Sequence, residues 1–66
     1  MTIDINGKQT TTNSDVLHDV LLEHFGKIPG GVAAAVNNEV IPKSKWENHK
    51  LSETDKILII TATQGG

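Results

Sequence analysis

The sequence predicts an α+β domain: a mixed sheet of four to five strands with one helix packed on one face. Three observations lead there. An Asn6-Gly7 pair joins two short strand-like segments, one apolar stripe of helical period follows, and the continuous apolar run Ile57–Ile60 comes near the end. A single helix and a single sheet have only each other with which to bury their apolar sides.

The elements follow in order. Thr2–Ile5 alternates polar and apolar, with Ile3 and Ile5 on one side. Asn6-Gly7 is a two-residue hairpin signal because both positions tolerate positive φ. Threonine-rich Lys8–Thr12 is the return strand. Asn13-Ser14-Asp15 offers side-chain oxygens to cap a helix start, and Val16, Leu17, Val20, Leu21 and Phe25 recur at helical spacing. Asp15 and Asp19 lie towards the end of the helix where its dipole favours negative charge. Gly26 suits the position that ends a helix, and Pro29-Gly30-Gly31 forbids its continuation.

Val32–Val36 is apolar but alanine-rich, so helix competes with strand; the glycine pair before it and Asn37-Asn38 after it favour strand. Glu39–Ile41 is a short partner strand stopped by Pro42. Lys43–Lys50 reads as a loop or a single helical turn, with Trp46 as a plug over one end of the core and Leu51 as an anchor. Ser52–Asp55 is a turn, and Ile57–Ile60, extended by Thr61 and Ala62, is the last strand. Its apolar residues fall on both parities, which predicts a central position, parallel to the first strand. The domain is expected over residues 1–62, with 63–66 as a flexible tail.

Bulk composition narrows the function. Sixty-six residues support one small domain, and a hydrophobic fraction of 36% allows only a thin core. There is no cysteine, so disulfides and thiolate metal sites are excluded, and a reducing cytoplasm is the expected location. The net charge of −2, with no arginine, argues against nucleic-acid and anionic-membrane partners. No apolar run approaches a membrane span, and Asp4 with no apolar stretch beside it speaks against a signal peptide.

Nothing internal reads as an active site. His18 and His24 are six apart and so lie on different sides of a helix, which rules out paired metal ligation; with His49 they read as surface histidines, and no metal is expected. Ser14, Ser44 and Ser52 are cap or loop residues, and Asp15, Asp19 and Glu23 form a polar helix face. The chemistry points to the end of the chain. A terminal carboxylate is a poor electrophile until it is activated, for instance as an acyl adenylate. Gly65 and Gly66 put no side chain beside such a carboxylate and allow close backbone approach in a narrow channel, with Gln64 and Gly65 as the tail that inserts. Four extended residues reach on the order of 13 Å, enough to insert the terminus while the body stays outside.

With these features the chain resembles the ubiquitin-like, or β-grasp, family, and most closely the ThiS-type sulfur carriers of thiamine synthesis. The resemblance runs from Ile5-Asn6-Gly7, through the Val16–Leu22 stripe and Val32–Lys43 with Trp46, to Asp55–Ile60 and Gly65-Gly66. Lys43 stands where the family often has arginine, and Thr54 where glycine is usual. The first departure weakens any case for a bidentate arginine contact there.

The resemblance implies a carrier and recycled co-substrate, with no bound cofactor and no catalysis of its own. A ThiF-type adenylyltransferase would use ATP to adenylate Gly66. Sulfur from a cysteine desulfurase persulfide relay would replace AMP, and a ThiG-type thiazole synthase would take sulfur from the resulting thiocarboxylate. Free carrier is expected to be a monomer. A docking patch for the partners is expected on the sheet face away from the helix. If Ile57 and Ile59 point to the helix, Leu58 and Ile60 point outward, floored by Ala33 and Ala35, with Val32, Ala34 and Val36 inward. Lys43 and Lys45 could meet an acidic rim on a partner. Competing readings are a carrier for molybdopterin synthesis, a protein modifier, and a non-covalent ubiquitin-like module whose terminal glycines are incidental.

Overall fold

In the computed structural model, residues 1–28 and 30–61 are described. Strand β1 (Thr2–Ile5) and strand β2 (Lys8–Thr11) precede helix α1 (Leu17–Phe25). Strands β3 (Val32–Val36) and β4 (Glu39–Ile41), a 3₁₀ helix (Lys43–Asn48) and strand β5 (Lys56–Thr61) complete the order. The sheet has five strands in the order β2-β1-β5-β3-β4. The last strand is central, parallel to β1 and antiparallel to β3, as the apolar run on both parities predicts.

Both hairpins turn on left-handed residues. Asn6 (φ 52) and Gly7 (φ 85) join β1 to β2, and Asn37 (φ 51) and Asn38 (φ 72) join β3 to β4. Two consecutive positive φ values match the strand twist of a tight hairpin, and asparagine is the side chain that tolerates them best after glycine. Thr54 (φ 69) shares this region without asparagine's short planar amide, so its branched Cβ is strained there. It is held in place by its N–H, which donates to the Thr2 carbonyl at 2.8 Å.

The expected helix cap is not made. Val16 occupies the N-cap position with no side-chain cap bond, and Leu17 is the first helical residue. The start is fixed by the main chain of a distant loop instead. The Leu17 N–H donates to the His49 carbonyl at 2.9 Å, and the Leu51 N–H donates to the Asp15 carbonyl at 2.7 Å. These bonds flank an antiparallel bridge between Val16 and Lys50. An orphan helical N–H needs an acceptor, and a tertiary carbonyl serves as well as a cap side chain. The other end is as expected: Gly26 (φ 75) donates its N–H to the Leu22 carbonyl at 2.7 Å.

Leu17, Val20 and Leu21 carry the helix onto Ile3, Ile5, Ile57 and Ile59 of the sheet. Trp46, 1% exposed, closes one end of this core. Its indole Nε1 donates to the Ile41 carbonyl at 2.8 Å, so the polar edge of the buried ring is satisfied. Lys43–Lys50, expected as a loop or one turn, contains the 3₁₀ helix that delivers this ring. Thr12 is buried, and its hydroxyl donates to the Glu23 carboxylate while accepting the Ser14 N–H at 3.1 Å.

The two hairpin asparagines also hold β5. The Asn6 N–H donates to the Ile57 carbonyl at 2.9 Å, and the Asn6 side-chain oxygen accepts the Ile59 N–H at 2.7 Å. Asn6 therefore continues the β1 side of the ladder after β1 has turned away. At the other flank, the Asn37 N–H donates to the Lys56 carbonyl at 2.7 Å and its side-chain oxygen accepts the Lys56 N–H at 3.0 Å. The Asn37 amide also donates to Asp55 Oδ1 at 3.1 Å.

Two substitutions test this account by chemical denaturation. N6G keeps the positive φ but deletes the acceptor for the Ile59 N–H, and should cost about 1–2 kcal/mol while speeding exchange of the Ile59 amide. T54G removes a left-handed β-branched residue at an exposed turn and should stabilise the fold by about 0.5–1 kcal/mol after the larger unfolded-state entropy of glycine is counted.

Candidate functional site

Alternation along β5 divides its apolar residues between two faces. Ile57 and Ile59 are 2% and 8% exposed and belong to the core, whereas Leu58 and Ile60 are 51% and 49% exposed on the opposite face. This is the division expected from the sequence. Ala33 pairs with Ile60 and Ala35 with Leu58, which places both alanines on that outer face. Ala33 is exposed; Ala35 is almost covered, at 6%, between its cross-strand neighbours Leu58 and Val40. Ala34 and Val36 point inward to the core, and Val32 packs at its margin.

Val40, 67% exposed, extends the patch and was not foreseen. The signal was in the sequence. A two-residue Asn37-Asn38 turn fixes the pairs Val36–Glu39, Ala35–Val40 and Ala34–Ile41. With Ile41 buried beneath the helix side, Val40 must share the outer face with Ala35. The result is a cross-strand row of Val40, Ala35 and Leu58, with Ala33 and Ile60 one step further along β5. On the β1–β2 half of the same face the residues are polar: Thr2 and Asp4 stand opposite Thr11 and Gln9. The apolar sector is thus confined to one half of the sheet and lies beside the end of β5 from which residues 62–66 continue. Ala62 and the tail residues Gln64, Gly65 and Gly66 lie outside the described residues, as does the expected boundary between domain and tail.

Among the described residues no second centre competes with this one. His18 spans α1 and the 3₁₀ helix, with Nδ1 at 3.4 Å from Asp19 Oδ1 and Nε2 at 4.0 Å from Glu47 Oε2. His24 sets its ring edge-on to Phe25 at 5.0 Å. Among the described residues no three His, Asp or Glu side chains gather as a metal site. A groove between β2 and α1 is lined by Thr10, Val20, Glu23 and His24, but the Glu23 carboxylate is engaged by buried Thr12 and no nucleophile–base pair forms there. Lys43 and Lys45 are exposed. No helix among the described residues is long and apolar enough to cross a membrane.

Comparison with known proteins agrees with this architecture. The ThiS family model matches residues 3–66. The sulfur carrier protein ThiS of Escherichia coli is 33% identical over 46 residues, covering 70% of each chain. An uncharacterized protein, ycf40, of Trieres chinensis is 39% identical over 66 residues, covering 98% of this chain and 89% of its own. The crystal structure of a thiamine biosynthesis protein (ThiS) from Geobacter metallireducens superposes with a TM-score of 0.82 over the whole of both chains at 19% identity, which makes the five-stranded sheet and its single helix a β-grasp fold. With a family match that runs almost from end to end and a relative one-third identical over more than two-thirds of both chains, this chain belongs to the ThiS family.

Proposed function

We propose that the protein is a sulfur carrier of thiamine (thiazole) biosynthesis and that the Gly66 carboxylate is its reacting group. The observation that carries the reading is the extent of the family match, which includes Gly65 and Gly66 as well as the folded body. The relative from Escherichia coli is itself named a sulfur carrier.

The chemistry follows from the terminus. A carboxylate oxygen of Gly66 attacks the α-phosphorus of ATP on a ThiF-type adenylyltransferase, and pyrophosphate leaves. The terminal sulfur of a persulfide, supplied from cysteine through a desulfurase, then attacks the acyl carbon and AMP leaves. A thiol reduces the resulting acyl disulfide to the thiocarboxylate. A ThiG-type thiazole synthase takes up this sulfur and returns the carboxylate, so the protein is a recycled co-substrate in the cytoplasm and the nucleotide belongs to its partner. A chain with no cysteine cannot hold sulfur on a side chain, which fits a main-chain acyl carbon as the carrier atom.

The outer patch of Leu58, Ile60, Ala33 and Ala35, widened by Val40, is the docking surface for both enzymes. Half-exposed leucine and isoleucine on a flat sheet face present apolar area whose burial favours association. Gln64 and Gly65 then thread the entry channel, where a Cβ on Gly65 would add bulk.

Intact-mass analysis after incubation with the adenylyltransferase, ATP and a sulfur source tests the chemistry. One oxygen should be replaced by sulfur, and deletion of Gly66 should abolish the change; an unchanged mass in the wild type would falsify the proposal. The surface is tested with L58D and I60D, which leave the core untouched. Each should weaken binding to both enzymes by about 10- to 100-fold with the thermal midpoint nearly unchanged.

A further inference from the structure

The main-chain groups of β5 alternate between its two neighbours. Those of odd-numbered residues face β1: the Asp55 and Ile57 carbonyls accept from Asp4 and Asn6, and the Ile59 N–H donates to the Asn6 side chain. Those of even-numbered residues face β3, as the bonds between Lys56 and Asn37 show. On the β3 side the pairing is complete to the end of the strand, where Val32 stands opposite Thr61. On the β1 side it is not. Strand β1 ends at Ile5 and the chain turns back through Asn6-Gly7, so the side chain of Asn6 is the last partner on that flank. Beyond it, among the described residues, the Ile59 carbonyl and the Thr61 N–H have no partner on the β1 side. The centre of the sheet thus contains a short open edge, at the end of β5 that leads into residues 62–66.

An acceptor and a donor two residues apart on one side of an extended strand have the spacing of a β-ladder, and a free strand edge is a template for another backbone. The notch is continuous with two other features of the carrier reading, on which this inference depends: Ile60 of the outer patch lies between the two groups, and the tail begins immediately after them. Of the proposed partners, the activating enzyme is the one that must hold the tail extended while the Gly66 carboxylate meets the nucleotide.

We infer that an extended backbone segment of the activating enzyme adds to β5 at the Ile59 carbonyl and the Thr61 N–H, continuing the sheet past Asn6 and alongside the tail. Main-chain pairing of this kind supplies affinity without reading side chains and fixes the direction in which the tail leaves the body. It also gives the Asn6 amide a second role, since it closes the near end of the notch and leaves only the far end to be paired.

The test compares T61P with T61V. Thr61 points its N–H away from β3, so proline removes no bond among the described residues, and Ile60 already has the extended conformation that a following proline requires. T61V keeps the N–H and loses the hydroxyl. T61P should bind the activating enzyme about tenfold more weakly than T61V, with matching thermal midpoints. In the wild type, the Thr61 amide should exchange rapidly when free and become protected in the complex, a readout that holds even if T61P fails to fold. Equal affinities for the two variants, or no protection of Thr61 on binding, with the wild type still charged with sulfur, overturns strand addition and leaves the carrier reading intact. A wild type that neither binds the enzyme nor acquires a thiocarboxylate overturns both.

Discussion

Everything in this fold depends on satisfying the main chain of one buried strand. Along its buried length a central strand must find partners for its N–H and C=O groups on both flanks, because water does not reach them there and an unmet group costs about 1–3 kcal/mol. Here β5 is flanked by strands too short to do this alone: β1 has four residues and β3 five. Two hairpin asparagines extend the pairing, Asn6 on one side and Asn37 on the other, and among the described residues leave the Ile59 carbonyl and the Thr61 N–H open beyond Asn6. Each also adopts the positive φ that its turn demands. The same side chains that shape the turns therefore lock the last strand into register. That register decides which of its residues enter the core and which remain outside.

The division of β5 into an inner and an outer row explains how so small a body can fill a core and still present apolar residues at its surface. Ile57 and Ile59 complete the core, while Leu58 and Ile60 stand over a floor of alanines. Small side chains on β3 keep that floor low, so the patch is flat and open rather than a pocket. Confinement of the apolar residues to the β5–β3–β4 half, against the polar Thr2, Asp4, Gln9 and Thr11 of the other half, gives the face an orientation as well as an area.

Much of this was legible from periodicity and turn chemistry. Asn6-Gly7 and Asn37-Asn38 announced both hairpins, the apolar run on both parities announced a central strand, and Gly26 announced the end of the helix. What could not be read was long-range. The Asn13-Ser14-Asp15 cluster is a local signal for a cap, but the start of the helix is set by the His49 carbonyl, more than thirty positions away along the chain. No local rule links Asn6 to Ile59. Val40 was readable in principle, since turn length and the burial of Ile41 fix its side, but it required carrying the hairpin register through to the outer face. Thr54 was read as a turn residue, but its left-handed backbone, φ 69, follows from the loop's path back to β1 and carries no signal in a threonine.

The parallel contact between β1 and β5 joins the two ends of the domain, with Asp4 opposite Lys56. Contacts so remote in sequence are slow to form, because a long loop must close before they contribute anything. During synthesis, β1 and β3 emerge with the place between them empty, and the sheet cannot assemble until the ribosome has released residues 56–61. A nascent chain interrupted before that point has no centre to its sheet and remains open to proteolysis. Folding in this protein thus acts as a proofreader of length, admitting to the native state only chains translated through the central strand at residues 56–61.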